Sequence, residues 1–243
     1  MLKFREKLIA KAKNNWDVGS VTVAFLGDSV TQSCFELYKH HDGSIDAYYD
    51  AESAYHHYLK RALAMLYPSV PVNIINAGIG GDVAPHGLER LERDVIARRA
   101  DLAVVCYGLN DAWGGLDGLA AYEEALGSIL DRLAGEGIET LFMTPNMMCT
   151  EVSCHLEDEA ILEMARGAVE LQNSGVMDRY MESARAVCAR RGVPVCDCYA
   201  QWKQLQAAGV NTTELLSNKL NHPTREMNWL FAVSLLRSIL SGE

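Results

Sequence analysis

The stretch VTVAFLGDSVT, residues 21–31, decides how the rest of the chain is read. Its first six residues are apolar or β-branched, a run short enough for a strand buried on both faces of a parallel sheet. Gly27 then breaks the run, and Asp28 and Ser29 follow at once. A serine there sits at a strand-to-helix turn, close to the positive end of a helix. Four more segments read as strands of the same kind: 72–76, 102–106, 140–144 and 193–196. Between them, helical patterns cover about 47–66, 84–98, 119–134 and 175–191, and a last one covers about 225–240. Strands alternating with helices predict an α/β chain whose parallel sheet carries helices on both faces.

Proline and glycine mark the joints. Pro68 ends one helix, Pro71 opens a strand, and Gly135, Gly137 and Gly192 close two further helices. The chain has no internal repeat, low-complexity tract or linker, so one domain spanning 1–243 is expected. The least regular stretch is 147–173, longer than an ordinary connection between a strand and a helix. It has room for a short helix at 157–171 lying over the site.

Composition narrows the function. Hydrophobic residues make up 49% and charged residues 22%, which fits a globular chain rather than a disordered one. The 32 acidic and 22 basic residues give a formal net charge of −10, which repels nucleic acid and anionic lipid. No nucleic acid and no membrane partner is therefore expected. The N-terminal segment has charges every two or three residues and lacks the apolar run of a signal peptide, so a cytoplasmic location is expected. Seven cysteines without paired ligand spacing read as reduced thiols rather than a zinc site.

In open α/β sheets, chemistry gathers at the carboxyl ends of the strands. The first strand is followed by Gly27, Asp28 and Ser29, the second by AGIGGD (77–82), the third by GLND (108–111) and the fourth by Pro145 and Asn146. Asn221, His222 and Pro223 stand just before the last helix. Acyl transfer needs a nucleophile, a base beside it and donors aimed at the developing oxyanion. Ser29 can be the nucleophile and His222 the base. Gly81 offers a backbone N–H, and Asn110 a side-chain one. Each has a plain structural alternative: Ser29 as a helix N-cap, the glycines as a turn, Asn110 and Asp111 as caps, His222 as a loop histidine. Their joint occurrence, each after the right strand, favours the chemical reading.

These blocks resemble the GDSL/SGNH hydrolase family, named for Ser, Gly, Asn and His in separate motifs. The resemblance rests on VAFLGDSVT (23–31), NAGIGGD (76–82), GLND (108–111) and NHP (221–223) and spans nearly the whole chain. It implies a three-layer α/β/α sandwich with a five-stranded parallel sheet, of the flavodoxin-like SGNH type, and esterase chemistry; no cofactor or metal is expected, because the sequence lacks a complete ligand set for a metal or a nucleotide. Carried over by position, Ser29 is the nucleophile, and His222 is the base. The backbone N–H of Ser29, Gly81 and Asn110 form the oxyanion hole.

One position departs from the pattern. The family usually has an aspartate three residues before the histidine, and here that place holds Lys219. An ammonium only donates, so it cannot hold the outer N–H of the imidazole. A Ser–His dyad assisted by a neutral acceptor is expected, with Asn218, or a backbone carbonyl of 217–220, as the acceptor. The same departure leaves a catalytically weak, ligand-binding relative as the alternative.

Other classes fit less well. Gly78 and Gly80 resemble the start of a dinucleotide fingerprint, but the third glycine is replaced by Val83, and the glycines follow the second strand. The paired histidines 40–41 and 56–57 point to different faces of a helix and rarely chelate together. The G-x-S-x-G elbow of the α/β-hydrolases is absent around Ser29. The expected substrate is a carbohydrate or small ester with a short acyl group such as acetyl. Asp28, Asp111, Trp113 and Asn146 are candidates for its pocket.

Overall fold

Val21–Gly27 forms β1 in the computed structural model, which describes residues 3–241. Its parallel neighbours are β4 (Val72–Gly78) on one side and β5 (Leu102–Cys106) on the other. The sheet continues through β6 (Glu139–Met143) to β7 (Val195–Cys196), giving the order β4-β1-β5-β6-β7. All of β5 and all but Thr22 of β1 are buried, as expected for central strands covered on both faces. β7 pairs over only two residues, although a strand was expected over 193–196. Pro194 has no N–H to contribute and serves only as acceptor to Phe142.

One helical layer contains α1 (Lys3–Lys13), α3 (Tyr55–Leu66) and α9 (Arg225–Ser241), with α8 (Cys198–Ala207) against α9. The other contains α4 (Ala84–Asp94), α5 (Leu119–Gly135) and α7 (Val176–Arg191). α6 (Glu159–Asn173) packs on α7, inside the stretch whose short helix was expected at 157–171. The result is a three-layer α/β/α sandwich. Among the described residues, no helix is long and apolar enough to cross a membrane.

Three elements differ from the sequence reading. α1 buries Phe4, Leu8 and Lys11, a helical spacing that its frequent charges masked. α8 was not foreseen. The third difference matters for function. The helix expected from residue 47 starts only at Tyr55, and Cys34–Lys39 (β2) and Ile45–Tyr49 (β3) form an antiparallel hairpin. Asp42 and Gly43 make its turn, with Asp42 Oδ1 accepting from the N–H and hydroxyl of Ser44. An Asp-Gly pair between alternating runs is a hairpin signal, and it outweighs the helical pattern downstream.

The four-residue helix α2 (Ser29–Gln32) lies across the ends of β1 and β4. Its N-cap is Asp28, whose Oδ1 accepts from the N–H of Val30 at 2.9 Å; Ser29 is therefore the first helical residue and not the cap. α2 can lie so close because Gly78 has no side chain: a Cβ there would stand 2.2 Å from the backbone nitrogen of Gln32. Gly78→Ala should therefore force α2 away from the sheet. The expected cost is about 1–3 kcal/mol, the usual range for overpacking, with loss of activity because Ser29 moves. Urea unfolding and an ester hydrolysis assay test this, and wild-type values in both would mean that the two backbones are not in contact.

Candidate active site

The sheet order reverses between β1 and β5, which opens a crevice at their carboxyl ends. Ser29 enters it from the end of β1, the glycine turn from β4 and Asn110 from β5. His222 reaches the same point from the loop before α9. Its Nε2 lies 2.9 Å from Ser29 Oγ, and both side chains are buried. Its Nδ1 lies 2.8 Å from the backbone carbonyl oxygen of Phe35 on β2. A carbonyl can only accept, so Nδ1 carries the proton, and Nε2 is left bare to accept from the serine hydroxyl.

The acceptor is thus neutral, as the sequence suggested, but it is neither Asn218 nor a carbonyl of 217–220. Asn218 Oδ1 is occupied elsewhere. It accepts the N–H groups of Leu220, Asn221 and His222 at 2.9–3.0 Å and shapes the loop that presents the histidine. Lys219 sits at φ +58° and turns its ammonium to Glu214, away from the imidazole. Two outside bonds pin the loop: Cys149 N–H to Leu220 O at 2.7 Å, and Asn146 Nδ2 to Asn221 O at 2.8 Å.

The glycine turn brings donors to the serine. Gly81 has φ +74°, a backbone that side chains rarely adopt, so its N–H direction depends on glycine. Gln32 Oε1 steadies the turn by accepting from Gly80 N–H at 2.6 Å. Asn110 donates one side-chain N–H to Asp82 O at 3.0 Å, which orients the amide and leaves its second N–H for a ligand. Ser29, Gly80, Gly81, Asn110 and His222 line one cavity of about 420 Å³. The hairpin closes one side through Leu37, Ile45, Ala47 and Tyr49, and α6 contributes Met164.

None of the four residues expected in the substrate pocket lines this cavity. Asp28 is buried beneath Ser29 as the α2 cap, with its carboxyl pushed up to about 7 by burial and further by the charges of Asp111 and Asp82, against the pull of the Val30 N–H. Asp111 accepts from Ala84 N–H at 2.8 Å and Gly108 N–H at 2.9 Å, and burial raises it to about 6. Trp113 packs its ring against α6 at Gly167. Asn146 is fully buried and acts as the brace of the histidine loop.

Sequence reasoning missed several supports. Arg90 donates to Asp82 and to the carbonyl oxygens of Ala77 and Gly27, tying the ends of β1 and β4 to the glycine turn, and the Tyr107 hydroxyl donates to the same carboxylate. An arginine on α4 carries no local mark of this role. Phe35 acts through a main-chain atom, which no residue type announces. Among the described residues, no group of three or more His, Cys, Asp or Glu side chains is placed to hold a metal ion.

A family model for the GDSL-like lipase/acylhydrolase family matches residues 25–230. The chain belongs to that family. The match takes in every element that builds the crevice, from the end of β1 to the first turn of α9. An acetylxylan esterase from Geobacillus stearothermophilus is 33% identical over 89 residues, which are 37% of this chain and 39% of that protein. A crystal structure of an acetylxylan esterase from the same organism superposes with TM-score 0.66 at 22% identity, covering 91% of this chain and 95% of that one. The acetyl xylan esterase AlAXEase gives TM-score 0.67 at 19% identity, with coverage of 90% and 99%. A two-domain esterase active on acetylated mannans gives 0.68 at 17%, covering 99% of this chain and 53% of that one. At these identities the structural likeness establishes the fold.

Burial holds the His222 imidazolium down to about 4, against the opposing pull of the Phe35 carbonyl and the Glu36 charge. A lowered value keeps the ring neutral, and so able to accept a proton, to lower pH than an ordinary histidine. The acidic limb of kcat/KM, which reports the free enzyme, should therefore fall below the ordinary value of about 6.5. A limb at or above that value would mean that burial does not dominate the ring's titration, and a pH–rate profile decides.

Proposed function

We propose that this chain is a serine ester hydrolase that removes short acyl groups, acetyl foremost, from a carbohydrate through an acyl-enzyme on Ser29. The observation that carries this reading is the relay from Ser29 Oγ through His222 to the Phe35 carbonyl, set in a cavity edged by Gly81 and Asn110. In the first half-reaction, Ser29 Oγ attacks the ester carbonyl carbon while its proton passes to His222 Nε2. The N–H groups of Ser29, Gly81 and Asn110 receive the oxyanion. The tetrahedral intermediate then collapses, the C–O bond to the alcohol breaks, and Nε2 returns the proton to the leaving oxygen. Water repeats the sequence on the acyl-enzyme and frees Ser29.

Family membership supports the reaction class. The carbohydrate part of the reading rests on the relatives, whose names point to acetylated xylan and acetylated mannan. The cavity agrees in size: an acetyl group fills a small part of about 420 Å³ and leaves room for the alcohol. Its hairpin side is largely apolar, as suits the flat faces of a sugar ring or a small acyl group.

Three measurements test the reading. Ser29→Ala should abolish hydrolysis and fluorophosphonate labelling without unfolding the chain; retained activity overturns the proposal. Asn110→Ala should lower kcat by about 10²–10³-fold with a smaller change in KM, the usual loss for one oxyanion donor. A rise in KM alone would make Asn110 a substrate-binding group instead. Acetylated xylo- and manno-oligosaccharides should be cleaved faster than C4–C8 acyl esters after dialysis against a strong chelator. A preference for the longer chains removes the acetyl part of the reading, and a rate that falls and returns with one added metal removes the metal-free part.

A further inference from the structure

The acceptor of the His222 proton is a main-chain carbonyl on a hairpin outside the main sheet, and something must hold it still. β2 and β3 pair with Cys34 opposite Tyr49 and Leu37 opposite Ala47, three steps on one strand against two on the other. The extra residue is a β-bulge, a device that re-aims backbone groups beside active sites. It takes Phe35 and Glu36 out of the ladder, so the Phe35 carbonyl is available to the imidazole. A bulge bends more easily than a regular pair, and hairpins of two strands are weak on their own.

Arg225 grips the bulge. Its guanidinium lies 4.4 Å from the centroid of the Phe35 ring. Nη1 and Nη2 donate to the two carboxylate oxygens of Glu36, and Nε donates to Asp50 Oδ2 at 2.9 Å, just past the end of β3. Arg225 is also the first residue of α9, three residues after His222. One side chain thus joins the segment carrying the imidazole to the segment carrying its acceptor. A cation at the first turn of a helix opposes the helix dipole, so the position is favoured by its two carboxylate partners and not by the helix.

We propose that Arg225 is a positioning residue that fixes the Phe35 carbonyl on His222, in place of the carboxylate this chain lacks. It acts in two ways. It sets the geometry of the Nδ1–H···O bond, and it neutralises Glu36. The charged and titratable groups on the surrounding elements are Asp28 at α2; Cys34, Glu36, Tyr38 and Lys39 on β2; Asp46, Tyr48 and Tyr49 on β3; Asp50 after it; Glu214 and Lys219 before and in the histidine loop; and Arg225 and Glu226 at the start of α9. Among them, Glu36 is the one whose charge acts on the imidazole.

The inference rests on the Ser29–His222 reading, and the test separates the two. With Arg225→Met, kcat should drop by roughly 10- to 100-fold, as when a reacting group is misplaced by about 1 Å, with less change in KM. The acidic limb of kcat/KM should also move up by roughly half a pH unit, because the unpaired Glu36 charge now favours the imidazolium. Arg225→Lys should return the limb to its wild-type position, since the charge is restored, while kcat recovers only in part, since an ammonium cannot form the bidentate fork. Adding Glu36→Gln to Arg225→Met should cancel the limb shift and leave kcat low. Should Arg225→Met fail to fold, Arg225→Lys decides: lowered kcat with an unmoved limb supports the inference, and wild-type kcat overturns it. A merely structural arginine would lower the melting temperature and leave both kcat and limb of the folded enzyme unchanged, which also overturns it. If Ser29→Ala is dead while Arg225→Met behaves as wild type, only the positioning role fails; if Ser29→Ala stays active, the underlying reading fails.

Discussion

A single hydrogen bond, from His222 Nδ1–H to the carbonyl of Phe35, joins two parts of the chain 187 residues apart and sets the state of the site. Without an acceptor at Nδ1, the imidazole proton would be free to sit on either nitrogen and the ring free to turn. With it, Nε2 is bare and aimed at Ser29 at 2.9 Å. The loop shaped by Asn218, the brace from Asn146 and the bulge of the hairpin all bear on this one contact. Each holds one end of it in place.

A carbonyl and a carboxylate orient the ring equally well but differ in charge. A buried carboxylate stabilises the imidazolium that forms as the serine loses its proton, whereas a carbonyl offers only a dipole. Burial then dominates, and the imidazolium is disfavoured in the resting site. Negative charge is present nearby but differently placed. Asp82 lies under the glycine turn and is neutralised by Arg90, while Asp28 and Asp111 are pushed up by burial and cap backbone N–H groups. These carboxyl groups shape the strand-end side of the crevice, where the glycine turn and Asn110 lie.

The sequence was legible where function lies in side chains at strand ends. The parallel strands could be named because an apolar run followed by a polar or glycine break has few other meanings, and the same breaks picked out Ser29, Gly81, Asn110 and His222, which the structure brings to one cavity. The absence of an aspartate three places before His222 was legible too, and it led to a neutral acceptor. Which acceptor was not, because a main-chain carbonyl is present at every residue and only the tertiary fold selects one. The hairpin was hidden for a related reason: a helical pattern ending at Leu66 was carried back to residue 47, into the second hairpin strand, while the Asp42-Gly43 turn just before it went unread as a hairpin signal. Asp28, Asp111 and Asn146 were placed in the pocket for their polarity, but each is buried and engaged with backbone groups, which is how a fold satisfies polar groups it encloses.

The site therefore divides into two halves with different physics. Ser29 and Asn110 follow the central strands β1 and β5, and the glycine turn follows the edge strand β4, all continuous with the main core, where packing leaves little freedom. The facing half, made of the hairpin and α6, has its own small cluster of Ile161, Ala165 and Leu220, with Leu37, Ile45 and Leu156 packed against it. This cluster reaches the cavity wall through Leu37 and Ile45 and supplies none of the proposed oxyanion donors. Leu220 belongs to it and lies two residues before His222, so the wall and the imidazole share a support. Changes in the wall can reshape the cavity without touching Ser29, but they reach the histidine through Leu220 and the Phe35 bulge. That coupling runs through Leu220, which shares its cluster with the wall residues Leu37 and Ile45, and through Phe35, whose carbonyl holds the imidazole, so a change of packing at either position also shifts the ring.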